Sequence, residues 1–354
     1  MIINYVTKEG TDDTDDLLIN KALGFIRMFQ LRDSEPAKWS WLLSFMSHLE
    51  ERNKSEEFRK TVDQLSSILQ SVGLADVDTQ VVGHLLGIMA TNALHLDPSG
   101  QAFFPLLCLA SHSCLPSCEH WLVGKQARLR AKRKIKKGEQ LTIRYSYVSL
   151  HRTLLKDVIR DAWMFECFCD RCRDRSEVGT AASSFKCDEC AEGFISEVEN
   201  TTTHVFYKCD LCDKALTKPE VLEKAHRLRK LELSNPSIAA IPDVIAEMTS
   251  HGGHALYHSV MQLKLQYIEQ ACSMLTDTAC SLVLAYCRDI HQYLQALNPG
   301  VSMQRGRVLF CCSKARMWML QNTAGEDKMD VGRENQEIFK MQILAQKMIS
   351  GYVK

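Results

Sequence analysis

Cys187-x2-Cys190 and Cys209-x2-Cys212, with eighteen residues between the pairs, set four thiols at the spacing of a four-cysteine zinc ribbon. Each pair fits a tight turn, and two such turns brought together close a tetrahedral site that leaves no position for water. Few large apolar residues accompany them beyond Phe185, Phe194, Ile195, Val198, Val205, Phe206 and Tyr207, so metal is expected to supply much of the segment's folding energy. Just upstream, Cys167-x-Cys169-x2-Cys172 offers three thiolates, one short of a closed site. Cys108, Cys114 and Cys118 are the nearest sources of a fourth, and the last two belong to the stretch "SHSCLPSC" that starts at Ser111. Such a site would clamp the chain after Trp163 back against an earlier segment.

These thiols sit in a chain of 354 residues that contains fifteen cysteines, ten of them between Cys108 and Cys212. The length allows two or three domains, each with a buried core. The opening "MIINYVTKEGTDDTDD" is acidic where a secretory signal needs a basic end and an apolar stretch, and no later apolar run reaches spanning length. A soluble, intracellular protein of the cytoplasm or nucleus is expected, with no membrane partner. Metal binding is then a better use of clustered thiols than disulfides. The other five cysteines, Cys272, Cys280, Cys287, Cys311 and Cys312, lie where the pattern is helical and read as small core hydrophobes. Basic and acidic side chains balance at 43 each, so no overall field draws the molecule onto nucleic acid.

Around the thiols, the periodicity changes three times. From Leu17 to Leu74 apolar residues recur at threes and fours, as in "LLINKALGFIRMF" and "EEFRKTVDQLSSILQSV", which predicts helices. Between residues 91 and 148 the period shortens and "CEHWLVGKQARLRAKRKIKKGEQLTIRYSY" predicts three short strands, with turns near Gly124 and Gly138. The run "RLRAKRKIKK" has the charge of a nuclear signal or a nucleic-acid patch. Its alternation favours a strand, with Ala127, Leu129 and Ala131 on the inner face and the charges in water, so nucleic acid is not the expected partner. After Lys214 successive helical hairpins predict an all-α array, too irregular in period to assign to a repeat family.

Three separated motifs, "ASHSCLPSC", "KKGEQLTIRYSY" and "WMFECFCDRC", follow in order and spacing the C-terminal half of a SET domain and its post-SET region. The chain resembles the SET and MYND domain (SMYD) protein-lysine methyltransferases. "GHLLGIMATNALHL", the additional zinc ribbon and "LNPGVSMQRGRVL" look most like the arthropod SmydA type. The resemblance implies an α+β fold: a helical SET insertion over 1–90, the C-terminal half of the SET domain over 91–148, and a post-SET zinc segment over 149–178. A zinc ribbon over 183–215 and a TPR-like helical domain over 216–354 complete it. Two structural zinc ions and S-adenosylmethionine are the implied cofactors. A protein with a target lysine, histone or non-histone, is the implied substrate, with protein contacts through the C-terminal helices.

Carried over residue by residue, the resemblance places Ser111, His112, Asn92 and Phe165 at the cofactor and Trp163 near the lysine channel. Cys114 joins Cys167, Cys169 and Cys172 on the first zinc, while Cys118 is left as a packed free thiol. Tyr145, which ends "GEQLTIRY", matches the tyrosine that faces the transferred methyl. Methyl transfer from a sulfonium is an in-line displacement, so the protein's work is to align a neutral amine and exclude water. A tyrosine hydroxyl can stabilise charge at that point, and aromatic walls suit a lysine stem and its cationic head.

Two departures bear on this expectation. Ser111 and Ser117 stand where the family carries asparagine, which shortens two side chains that brace the cofactor loop. The sequence also opens close to the helical insertion, so the glycine-bearing N-terminal SET strands and the MYND zinc module are not expected within it. Weak or absent catalysis by these residues alone follows, and a non-catalytic scaffold that binds other proteins is the alternative reading.

Overall fold

The computed structural model describes residues 14–74, 76–96, 100–124, 126–146, 151–198, 206–322 and 328–350. The chain divides into two compact units, one of Met1–Ser111, Leu122–Arg128 and Val158–Glu166, the other of His112–Trp121, Leu129–Asp157 and Cys167–Lys354. No helix among the described residues is long and apolar enough to cross a membrane.

The first unit is built on helices α1 (Thr14–Ser34), α2 (Pro36–Leu43), α3 (Leu49–Arg52), α4 (Glu56–Ser71) and α5 (Thr79–Asn92). An antiparallel hairpin of β1 (Leu94–Leu96) and β2 (Gly100–Ala102) follows. Apolar residues at helical spacing bury one stripe of each long helix, and Phe25, Met28, Leu65, Leu69, Leu85 and Phe103 share one core. Ser55 and Asp78 cap α4 and α5 by accepting the N–H of Phe58 and Gln80, donors that have no partner inside the helix.

Short strands follow: β3 (Ser111–His112) pairs with β6 (Thr142–Ile143), and β4 (Cys118–Val123) pairs with β5 (Gln126–Ala131). Then come α6 (Arg152–Trp163), whose residues from Val158 belong to the first unit, and the short α7 (Asp170–Arg173). β7 (Phe185–Lys186), β8 (Phe194–Val198), β9 (Phe206–Cys209) and β10 (Ala215–Thr217) form an antiparallel sheet in the order β10-β9-β8-β7. Six helices complete the chain: α8 (Lys218–Leu233), α9 (Ile241–Ser250), α10 (His258–Ala271), α11 (Asp277–Leu297), α12 (Met303–Asn322) and α13 (Lys328–Ser350). A capping box starts α8, in which Thr217 and Glu220 each satisfy the other's backbone N–H. Neighbouring helices pack in sequence from α10 to α13.

The basic run differs from the expected alternation. Leu129 and Ala131 are exposed and Arg130 is drawn in, its guanidinium 5.3 Å from the Trp121 ring centroid and 3.7 Å from Glu119. Stacking on an indole together with a carboxylate outweighs the small apolar gain of turning Leu129 inward. Lys132 is also buried, and its Nζ donates to Asn298 Oδ1. Arg133, by contrast, is exposed and pairs with Glu139 at the surface.

Lys132 marks the point where the β region meets the turn between α11 and α12. Its carbonyl accepts the N–H of Val301 at 3.1 Å, and a Cβ added at Gly300 would stand 1.9 Å from that oxygen. Gly300 also has a φ of 86°, which an L side chain adopts only under strain. Gly300→Ala is therefore expected to cost at least ~2 kcal/mol, from left-handed strain plus the displaced carbonyl. A thermal melt checks this, and an unchanged Tm would mean the turn is free to move.

Candidate functional site

Cys114 leaves the loop after β3, Cys167 and Cys169 follow α6, and Cys172 lies on α7, yet all four sulfurs fall within 4.8 Å of one another. The Sγ of Cys114 is 3.9 Å from that of Cys167 and 3.6 Å from that of Cys172. Sulfurs held ~2.3 Å from a tetrahedral zinc stand about 3.8 Å apart, so the donors already span the edges of a zinc tetrahedron. Without a cation these thiols compete for protons. Hydrogen bonds from Cys114 draw Cys167 well below the ordinary thiol range and Cys169 down to about 5, while Cys114 itself is driven up. Cys118 is buried and lies outside this set, and Cys108 donates to Asn92 O.

His112 joins this tetrad to the tyrosine. Its Nδ1 accepts the backbone N–H of Tyr145 at 3.1 Å, which assigns the ring proton to Nε2, and Nε2 lies 3.3 Å from Cys114 Sγ. An N–H aimed at a ligand sulfur is the outer-shell contact that orients and tunes a metal thiolate. The rings of His112 and Tyr145 also meet edge to face at 5.3 Å. From the other side Arg144, beside Tyr145 in sequence, donates to Cys114 O at 2.6 Å. The resemblance places His112 at the cofactor, and in the fold its side chain also links strand and thiol. Ser117 keeps the same loop braced: its Oγ accepts Thr142 N at 3.0 Å and its N–H donates to Thr142 Oγ1 at 2.9 Å.

A buried ion pair behind the tetrad has no counterpart in the sequence reading. Arg171, between Cys169 and Cys172, turns inward and its Nη2 lies 2.8 Å from Glu177 Oε1; their side chains are 5% and 1% exposed. Glu177 also accepts Ser183 N–H at 2.5 Å and Ser183 Oγ at 3.1 Å, and Ser183 Oγ accepts Arg152 N–H at 2.7 Å. Burial works against the charge on Glu177, but the guanidiniums of Arg171 and Arg152 outweigh it and hold the carboxyl below the usual range. The run "DRCRDRSEVG" reads as a solvated polar loop, and nothing local in it distinguishes the charges that become buried.

The second tetrad is set by the four-stranded sheet. Cys187 follows β7 and Cys209 ends β9, with Cys187–Cys212 and Cys190–Cys209 sulfur separations of 3.6 and 3.7 Å. The N–H of Gly193 donates to Cys190 Sγ at 3.3 Å and that of Leu211 to Cys209 Sγ at 3.4 Å. The Gly193 bond leads the effects that lower Cys190 to about 7. A Cβ at Gly193 would lie 2.4 Å from Cys209 Sγ, so only glycine allows the turns to close. Each tetrad could hold one zinc ion.

The remaining predicted residues lie in the first unit. Asn92, at the end of α5, spends both amide protons on Met46 O and Ile88 O, leaving its Oδ1 as acceptor. Arg52 reinforces that corner by donating to Ser47 O, Thr91 Oγ1 and Ala162 O. Trp163 ends α6 and Phe165 lies just beyond it, both half-buried, separated by Met164 at a left-handed φ of 57°. Ser111 is the last residue of the unit's first segment. His112 and Tyr145 belong to the second unit with both tetrads.

The SET domain family model matches residues 5–146, which contain α1–α5, the short strands and Tyr145. The chain is similar to the SET domain-containing protein SmydA-8, isoform A, of Drosophila melanogaster, 26% identical over 171 residues that cover 46% of this chain and 37% of that protein. It is 24% identical to the histone-lysine N-methyltransferase ASHR1 of Arabidopsis thaliana over 80% of this chain and 61% of the relative. With the histone-lysine N-methyltransferase SMYD3 of Homo sapiens it shares 27% over 42% and 38%. The chain spans between 37% and 61% of the length of these three curated relatives. A SET domain thus defines the class. Beyond the SET domain over residues 5–146, the chain is similar to SET and MYND domain proteins, among them relatives named as histone-lysine N-methyltransferases.

Proposed function

We propose that the protein is a zinc-containing, S-adenosylmethionine-dependent protein-lysine N-methyltransferase, and that the first zinc site positions Tyr145. The observation that carries this reading is the link from Tyr145 N–H through the His112 ring to Cys114. A cation bound by the four thiols holds the end of the "GEQLTIRY" strand still without taking part in the reaction, since a four-thiolate site has no open position. S-adenosylmethionine, when bound, supplies an electrophilic methyl on a sulfonium. In the first unit the Asn92 Oδ1 acceptor and the Ser111 hydroxyl suit its ammonium and hydroxyl groups. In the second unit Tyr145 is the residue proposed to orient the incoming amine. Trp163 and Phe165 provide aromatic surface for the lysine stem and the cofactor. The substrate is a protein lysine, histone or non-histone, and the C-terminal helices are the proposed contact surface for it.

Calorimetry with S-adenosylmethionine on the full chain tests the reading directly. Micromolar binding is expected, and its absence would favour the non-catalytic scaffold, a reading that serine at 111 supports because it gives the cofactor loop a shorter brace. Tyr145→Phe, which keeps the backbone bond to His112, is expected to lower any methylation the chain carries out about 100-fold at unchanged zinc content and cofactor affinity. An unchanged rate would remove Tyr145 from the chemistry.

A further inference from the structure

Four of the five cysteines in the C-terminal helices lie on elements that pack together: Cys272 at the C-cap of α10, Cys287 on α11, and Cys311 and Cys312 on α12. Cys272 and Cys311 line the same cavity, while Cys287 Sγ donates to Val308 O at 3.7 Å. Successive residues on a helix point about 100° apart, so the adjacent Cys311 and Cys312 reach different neighbouring helices. Cys280, by contrast, is fully buried and serves the core.

Cys272 and Cys311 both line a surface cavity of about 460 Å³, together with Glu269, Arg307, Phe310 and Lys314. Cys272 is half-buried, whereas Cys311 is 4% exposed. Within the cavity Arg307 is committed to Glu269 at 3.3 Å, while Lys314 lies 5.0 Å from the Phe310 ring centroid, a contact that leaves its charge unneutralised. The Cys311 thiol stabilises a thiolate at Cys272, burial opposes it, and Lys314 adds to the lowering; the same interaction and burial push Cys311 up. One thiol is therefore reachable and inclined to ionise, with a protonated thiol behind it.

We propose that Cys272 is a peroxide-reactive thiol and Cys311 its resolving partner, so that oxidation staples the end of α10 to α12. The Cys272 thiolate attacks one oxygen of hydrogen peroxide, the S–O bond forms as the O–O bond breaks, and the hydroxide released takes up a proton to become water. Cys311 sulfur then attacks the sulfenic sulfur, the S–S bond forms as the S–O bond breaks, and the Cys311 proton leaves in a second water. Two thiols lose two electrons and the peroxide gains two. The two helices pack against each other and the two cysteines share one cavity.

The test uses the zinc-loaded full chain, treated with graded hydrogen peroxide, alkylated, and digested with trypsin. Cleavage after Lys264, Arg288, Arg307 and Lys314 leaves Cys272, Cys280 and Cys287 in one peptide and Cys311 with Cys312 in another. A reductant-sensitive cross-link between the two peptides is expected, at doses below those that release zinc. It should vanish in Cys272→Ser and persist in Cys287→Ser. In Cys311→Ser a sulfenic acid should accumulate at Cys272 and be trapped by dimedone. A cross-link that survives Cys272→Ser, or one that forms only after zinc is released, overturns the proposal. So does full alkylation of Cys272 at every dose. The mapping of the unsubstituted chain and of Cys272→Ser decides the matter even if Cys311→Ser folds poorly.

Discussion

Removal of zinc by a strong chelator is expected to unfold the segment from Cys167 to Thr217 and to release Tyr145 from its anchor. Elemental analysis of the purified chain should find two zinc ions. Structural zinc in small thiolate sites contributes an apparent ~10–16 kcal/mol to folding at neutral pH, more than a segment this poor in apolar bulk recovers by burial. The sheet β7–β10 has few large buried side chains of its own, chiefly Phe185, Ile195, Tyr207 and Leu216. Loss of strand signal in circular dichroism, with α1–α5 retained, is the expected result, since the first unit has an independent core and neither tetrad. A spectrum unchanged after complete zinc removal would mean that thiol packing alone holds the turns, and the positioning role assigned to the metal would fall with it. Acidification should act in the same direction, because protons compete with zinc for thiolates.

Glu177→Ala is expected to cost about 3–5 kcal/mol, the penalty for leaving a buried charge without its partner. The substitution strands Arg171, which is placed between two tetrad cysteines, and also removes the acceptor of Ser183 N–H. A denaturant melt reads the loss, and weaker zinc retention at the first tetrad should accompany it. Replacing both partners, Arg171→Met with Glu177→Leu, should recover most of the stability, because apolar pairs of similar volume avoid the desolvation that the ions must overcome. If the single variant lies within ~0.5 kcal/mol of the unsubstituted chain, the pair is solvated in solution and contributes little.

The two predictions draw on features of different legibility. The ribbon thiols were readable because their spacing is local: a Cys-x2-Cys turn carries its geometry in four consecutive residues wherever it folds. The helices of the first unit and of the C-terminal array were readable for a similar reason, since a 3.6-residue period needs no knowledge of the partner. Family motifs added Cys114 to Cys167, Cys169 and Cys172, more than fifty residues apart, which spacing by itself had left open among three thiols.

Charges and cysteines outside the motifs were not readable. Arg130, Lys132, Arg171 and Glu177 look in sequence like solvated polar residues, and a charge is buried only where the fold delivers an indole, an amide or a carboxylate to it. Leu129 faces water for the complementary reason: the strand's alternation specifies two faces, and the tertiary neighbours at Trp121 and Glu119 choose between them. His112 was visible as part of a motif, but the direction of its ring depends on where β6 places the N–H of Tyr145. Cys272, Cys287, Cys311 and Cys312 had the composition of core filler, and Cys272 and Cys311 share a cavity only because α10 lies against α12. By itself the sequence indicated the helices and the ribbon thiols through local spacing, and Cys114 and the SET resemblance through separated motifs. The tertiary structure decided which charges are paired, which thiols meet and how the tyrosine is held, because those depend on groups that only folding brings within bonding distance.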